Sequence, residues 1–106
     1  RIFFATNKSS LTTASRATLR KQATYLRKNK NLNVTIEGHA DERGTREYNL
    51  ALGERRANSA RDYLMTYGIS GKRISVISYG KEKPVNPAST PLAWSQNRRS
   101  VTVKVN

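Results

Sequence analysis

Residues 36–60 read IEGHADERGTREYNLALGERRANSA, and the fold turns on how that stretch is parsed. Ile36 closes a run in which Leu32, Val34 and Ile36 alternate with Asn33, Thr35 and Glu37. Period two marks a strand with one buried face. Gly38 ends it in this reading, and residues 39–44 form a polar loop. Thr45 is suited to cap a helix, with Glu47 favourably placed near its positive end. That helix runs to about Tyr67, where Gly68 supplies the stop. At about 100° per residue, Leu52, Ala60, Leu64 and Tyr67 share one helical face, and Asn49 and Arg56 fall within the same arc. An apolar stripe accommodates a guanidinium only where the charge is met by a partner.

Upstream, Leu11, Ser15, Leu19, Ala23 and Leu26 recur at helical spacing behind Thr12 or Thr13 as cap, predicting a helix to about Asn29. Arg16, Arg20, Lys21, Arg27 and Lys28 lie mostly off that stripe, which gives the helix a basic outer face. Ile2, Phe3 and Phe4 read as a short buried strand. Downstream, Ile74, Val76 and Ser78 alternate with Arg73, Ser75 and Ile77 as a third strand. Residues 80–91 hold all three prolines and read as a loop. Pro91 suits the first turn of a short helix over 92–97. Val101, Val103 and Val105, alternating with Thr102, Lys104 and Asn106, form a last half-buried strand that Arg98 and Arg99 begin. The order β-α-β-α-β-(short α)-β, with polar alternation in three of the four strands, predicts a two-layer α/β sandwich. Both long helices cover one face of a four-stranded sheet, and the other face is solvated.

The 106 residues suffice for one domain, 1–106, with one modest core. No apolar run reaches the roughly 18 residues of a membrane span. No signal peptide is visible at Arg1, and the abrupt RIFF opening suits a piece of a longer precursor, with any targeting signal or lipid anchor upstream. The absence of cysteine excludes disulfides, thiolate metal sites and Cys nucleophiles. Lys and Arg number 20 against 7 Asp and Glu, a formal charge of +13. Such an excess attracts polyanions, and a basic polyanion- or nucleic-acid-binding domain is the alternative function. The charges are scattered along the chain, however, and no nucleic-acid motif is present.

Asp41 leaves a strand end, and Arg56 points inward about three turns into the following helix. Two readings stay open on this pattern. One is an internal salt bridge from Arg56 to Asp41 or Glu37. The other is a receptor for a zwitterion, in which Arg56 forks onto a carboxylate and Asp41 accepts from an ammonium. Asn49 and the loop amides of residues 38–44 could add hydrogen bonds. His39, the only histidine, makes a weak H-x-D-E pattern and reads as a packed group, so no metal site is expected. Trp94 reads as packing the short third helix against the sheet, with stacking on a base or sugar as the functional alternative. Alternation sends Arg98 and Arg99 to opposite faces, so only one reaches a cleft. No nucleophile stands beside a base and no phosphate-binding loop occurs, so neither an enzyme nor a cofactor is expected.

The stretch IEGHADERGTREYNLALGERRANSARDYL, followed by ISVISYGKEKP and NRRSVTV, resembles the peptidoglycan-associated lipoprotein (Pal) family of OmpA C-terminal-like domains over nearly the whole chain. The resemblance implies an OmpA-like fold with a mixed sheet. It also implies non-catalytic binding of the peptide stem of peptidoglycan, chiefly its meso-diaminopimelate, whose side chain ends in an amino-acid zwitterion. The family's aspartate in GHADE falls on Asp41 and its arginine in GERRA on Arg56. Asn49 and Leu52 match positions lining the same cleft, Arg98 matches the NRR block, and Phe4 and Ala5 lie on the rim. Implied partners are TolB and other Tol-system proteins, at the periplasmic face of a Gram-negative outer membrane, in envelope integrity and cell division. Two features depart from the family. The first-strand pattern YFDFDK is here Phe3-Phe4-Ala5-Thr6-Asn7-Lys8, so both aspartates are replaced, by Ala5 and Asn7. Arg46 stands where the helix usually begins with proline.

Overall fold

A computed structural model describes residues 1–105. Asn106, placed in the last strand by its alternation, lies outside the described residues. The elements are β1 (Ile2–Phe3), α1 (Thr13–Lys28), β2 (Val34–His39), α2 (Arg46–Thr66), β3 (Ile74–Gly80), α3 (Pro91–Asn97) and β4 (Arg99–Lys104), with a 3-10 turn at Gly71–Arg73 before β3. The sheet order is β1-β4-β2-β3. β4 runs antiparallel to both β1 and β2, whereas β2 and β3 are parallel, so the sheet is mixed as expected.

The helices start where their caps dictate. Thr12 accepts from the Ser15 amide and Thr45 from the Tyr48 amide. Thr90 caps α3 in the same way, with Pro91 in the first turn. Past the end of α2, Gly68 takes a left-handed φ of 87°, the conformation that stops a helix most cheaply. Leu19, Ala23 and Leu26 of α1 meet Ile2, Phe4, Val34 and Ile36 of the sheet side and Ala57, Ala60 and Leu64 of α2 in one core. The predicted inner faces are therefore the buried ones, and Arg56 is buried with them.

Three details differ from the expectation. The second strand does not stop at Gly38 but continues to His39, with an irregularity between the two. Gly38 is an approach point: a Cβ there would overlap the Gly53 carbonyl of α2. The missing side chains at Gly38 and Gly53 let α2 lie directly on β2 and carry Arg56 down to the strand's end. The third strand also extends, to Gly80, whose carbonyl accepts from the Ala40 amide at 2.8 Å. Finally, β4 turns Thr102 and Lys104 toward α1. Thr102 bonds Gln22 at 2.7 Å and the Lys104 ammonium lies 5.0 Å over the Tyr25 ring. Its valines face the open side, because pairing with β2 fixes the strand's phase against its hydropathy.

Candidate functional site

Between the loop that follows β2, the turn that follows β1 and the first half of α2 lies an open cavity of about 240 Å³. Asp41, Asn49, Leu52 and Arg56 line it, together with Thr6, Asn7, Arg43, Gly44 and Tyr48. Four of the seven expected site residues thus meet there. The other three stand behind the cavity and do not line it. Phe4 is buried, with the Arg56 guanidinium 5.3 Å from its ring centre. Ala5 contributes its backbone carbonyl to Arg56. Arg98 donates through Nε to the Phe4 carbonyl at 2.9 Å and brings Nη1 to 3.6 Å from Asp41 Oδ2.

Arg56 is not in the salt bridge to Asp41 or Glu37 that the sequence left open. Its Nε donates to the Lys8 carbonyl (2.9 Å), Nη1 to His39 (2.8 Å) and Nη2 to Ala5 (3.1 Å). The guanidinium therefore joins the turn after β1 to the end of β2, using three of its five N–H groups. None of its surface meets solvent. Burial, reinforced by the nearby Arg98 charge and opposed by Asp41, lowers its pKa to about 10, so it stays charged at neutral pH.

Asp41 is nearly buried, and its partner is Arg43, which the sequence reading missed. The Arg43 amide and Nε both donate to Oδ1 (3.0 and 3.1 Å), and Nη2 donates to Oδ2 at 2.8 Å. Burial works against the Asp41 charge. The Arg43 hydrogen bonds and the Arg43 and Arg98 charges outweigh it and hold the carboxyl below the usual range. The signal for Arg43 was present in D-x-R: an aspartate accepting from the amide two residues on makes a local turn that aims the intervening side chains. Nη2 of Arg43 also reaches Thr6 Oγ1 at 3.3 Å, across the mouth. Asn49 is spent on the loop, donating to the Arg43 carbonyl at 2.8 Å. Tyr48 reaches Asn7 Oδ1 at 3.2 Å. Asn7 itself sits at a left-handed φ of 57°, a conformation asparagine adopts more readily than most residues.

His39 lies off this cavity. Its ring stacks on Tyr79 at 5.5 Å and its Nε2 is 3.7 Å from Glu37. Burial, followed by the charges of Arg99, Lys83 and Arg1, lowers its pKa to about 4. Arg99 is buried and donates to the Asn97 and Lys83 carbonyls, so of the paired arginines only Arg98 approaches the site. Trp94 does not pack α3 onto the sheet. It faces the loop carrying Asp41, with its Nε1 donating to Glu42 Oε2 at 2.6 Å.

Residues 3–98 match the OmpA family. The peptidoglycan-associated lipoprotein of Rhizobium meliloti is 59% identical over 97% of this chain and 58% of its own length. That of Agrobacterium fabrum is 54% identical over the same shares of each, so the chain spans little more than half of these relatives. The crystal structure of the peptidoglycan-associated lipoprotein from Burkholderia pseudomallei superposes with a TM-score of 0.95 at 38% identity, covering 98% of this chain and 88% of that one. The C-terminal domain of Helicobacter pylori MotB shares the fold at 19% identity, with a TM-score of 0.90. Fold, motif order and these likenesses agree: the chain belongs to the OmpA family and, within it, to the peptidoglycan-associated lipoproteins.

Proposed function

We propose that residues 1–106 form a non-catalytic peptidoglycan-binding domain whose cavity receives the zwitterionic end of meso-diaminopimelate in the peptide stem. The observation that carries this is the opposition of charge in one small cavity: Asp41, held ionised, faces a cleft floored by Arg56 and rimmed by Arg43. In this reading Asp41 accepts from the ligand ammonium. The ligand carboxylate meets the guanidinium side, where Arg56 keeps two N–H groups beyond those given to carbonyls. Because Arg56 is covered, its direct contact with the carboxylate requires the Ala5–Lys8 turn to yield. Asn49 holds the loop and Leu52 supplies an apolar wall for the ligand's methylene chain. Arg98 and Phe4 support Asp41 and Arg56 from behind, and Ala5 offers only its backbone.

The same reading places the parent protein at the periplasmic face of the outer membrane of a Gram-negative bacterium. A lipid upstream of this domain ties it to the membrane, and Tol-system proteins such as TolB are its partners in envelope integrity and division. The test is calorimetry with a diaminopimelate stem peptide against its lysine counterpart, which lacks the distal carboxylate. Loss of one charge-assisted contact of about 1.5–3 kcal/mol corresponds to roughly a 10- to 100-fold weaker Kd. Asp41→Asn should abolish binding to the peptide and co-sedimentation with purified sacculi. Equal affinity for the two peptides, or wild-type binding by the Asp41 variant, would overturn the proposal.

A further inference from the structure

We infer that Trp94, anchored by Glu42, is a positioning residue for the receptor: its indole face carries the Arg43 guanidinium that holds Asp41. This rests on the function proposed above and concerns a residue outside the cavity lining. The Arg43 guanidinium carbon lies 4.3 Å from the centre of the Trp94 ring. The same guanidinium forks onto both oxygens of Asp41. Arg43 is thus held between an aromatic plane and a carboxylate, an arrangement that suits a flat, delocalised cation and not an ammonium. The indole is itself oriented. Its Nε1 donates to Glu42 Oε2 at 2.6 Å, while Oε1 of that carboxylate accepts from Ser89 Oγ at 3.0 Å. Lys81 completes the clamp by donating to the Gly44 carbonyl at 2.7 Å. Consecutive residues Glu42, Arg43 and Gly44 are therefore tied across to residues from 81 to 94, with Trp94 meeting the first two of them.

Trp94 is half-buried and is not a member of the core. As the only tryptophan in the chain, it would be expected to contribute by burial. Here it contributes by orientation: the bonds to Asp41 and Thr6 use Nε and Nη2 of Arg43 and leave Nη1 over for a ligand. A rotamer-rich arginine without that platform would sample many geometries, and binding would bear the cost of ordering it.

The experiment compares Trp94→Leu, Trp94→Phe and Glu42→Gln in the 106-residue domain, with two readouts. One is the Kd for the diaminopimelate stem peptide. The other is the exchange rate of the Arg43 Nε–H by NMR, which the bond to Asp41 protects. Trp94→Leu should weaken binding at least tenfold and speed exchange at least tenfold. Trp94→Phe, which keeps the aromatic face, should restore both to within about threefold of wild type. If Trp94→Leu fails to fold, the exposed Glu42→Gln substitution, which leaves one uncharged oxygen to serve both Trp94 and Ser89 and so loosens the indole, should still speed exchange severalfold. Binding by Trp94→Leu within twofold of wild type, weakened binding with unchanged exchange, or unchanged exchange in Glu42→Gln would each overturn the inference. Should wild type itself not bind the peptide, the ligand reading falls, and the exchange rates alone decide whether Trp94 positions Arg43.

Discussion

Replacing Arg56 with methionine keeps the length of the aliphatic stem and removes only the guanidinium. Three carbonyls then lose their donor. The His39 carbonyl bond is fully buried, while those to Ala5 and Lys8 are partly open to water. A buried acceptor left unpaired costs about 1–3 kcal/mol, and one that water can reach costs less. The face of Phe4 also loses its cation. Against this, the variant no longer keeps a charge out of water. The balance is a loss of about 2–4 kcal/mol, a large fraction of the roughly 5–15 kcal/mol that holds a domain of this size. Urea unfolding followed by circular dichroism measures it. The midpoint should fall while the slope stays constant, since the same surface is exposed. Arg56→Lys should lie between the two, because a compact ammonium cannot span three diverging carbonyls. A methionine variant within about 0.5 kcal/mol of wild type would refute the view that Arg56 builds the site. Because removing Arg56 perturbs the fold as well as the cavity, Asp41→Asn is the cleaner probe of recognition.

Gly53→Ala, ordinarily stabilising in a helix interior by up to about 1 kcal/mol, should here destabilise by more than 2 kcal/mol, because a Cβ would meet Ser78 Oγ and the Gly38 carbonyl. Thermal unfolding of that variant tests the close packing of α2 on β2. Acid should destabilise the domain through His39. Its folded pKa of about 4 lies below the ordinary 6.5, so the unfolded chain binds the extra proton, and stability present above pH 6.5 is lost as the pH falls toward 4. Allowing for screening, the loss is on the order of 2 kcal/mol. His39→Gln should flatten the pH dependence of the urea midpoint over that range, and an unchanged slope would contradict the assignment. Asp41, whose pKa is also lowered, contributes in the same direction and should remain in the variant.

What the chain determined locally was legible without coordinates. The 3.6-residue stripes placed Leu19, Ala23, Leu26, Leu52, Ala60 and Leu64 inside, and Thr12 or Thr13 and Thr45 marked the helix starts, because these signals depend on neighbours a turn away. Arg56 stood out on the same logic, as a charge in an apolar arc. Its partners could not be read, because the Ala5, Lys8 and His39 carbonyls come together only when the turn after β1 meets the end of β2. For the same reason the orientation of Trp94 toward residues 42 and 43, and the turning of Thr102 rather than the valines toward α1, were decided by tertiary pairing. Sequence determines which side chains a helix or strand can bury. Which charged group meets which partner depends on distances between segments remote in the chain, and those exist only once the sheet has set its register.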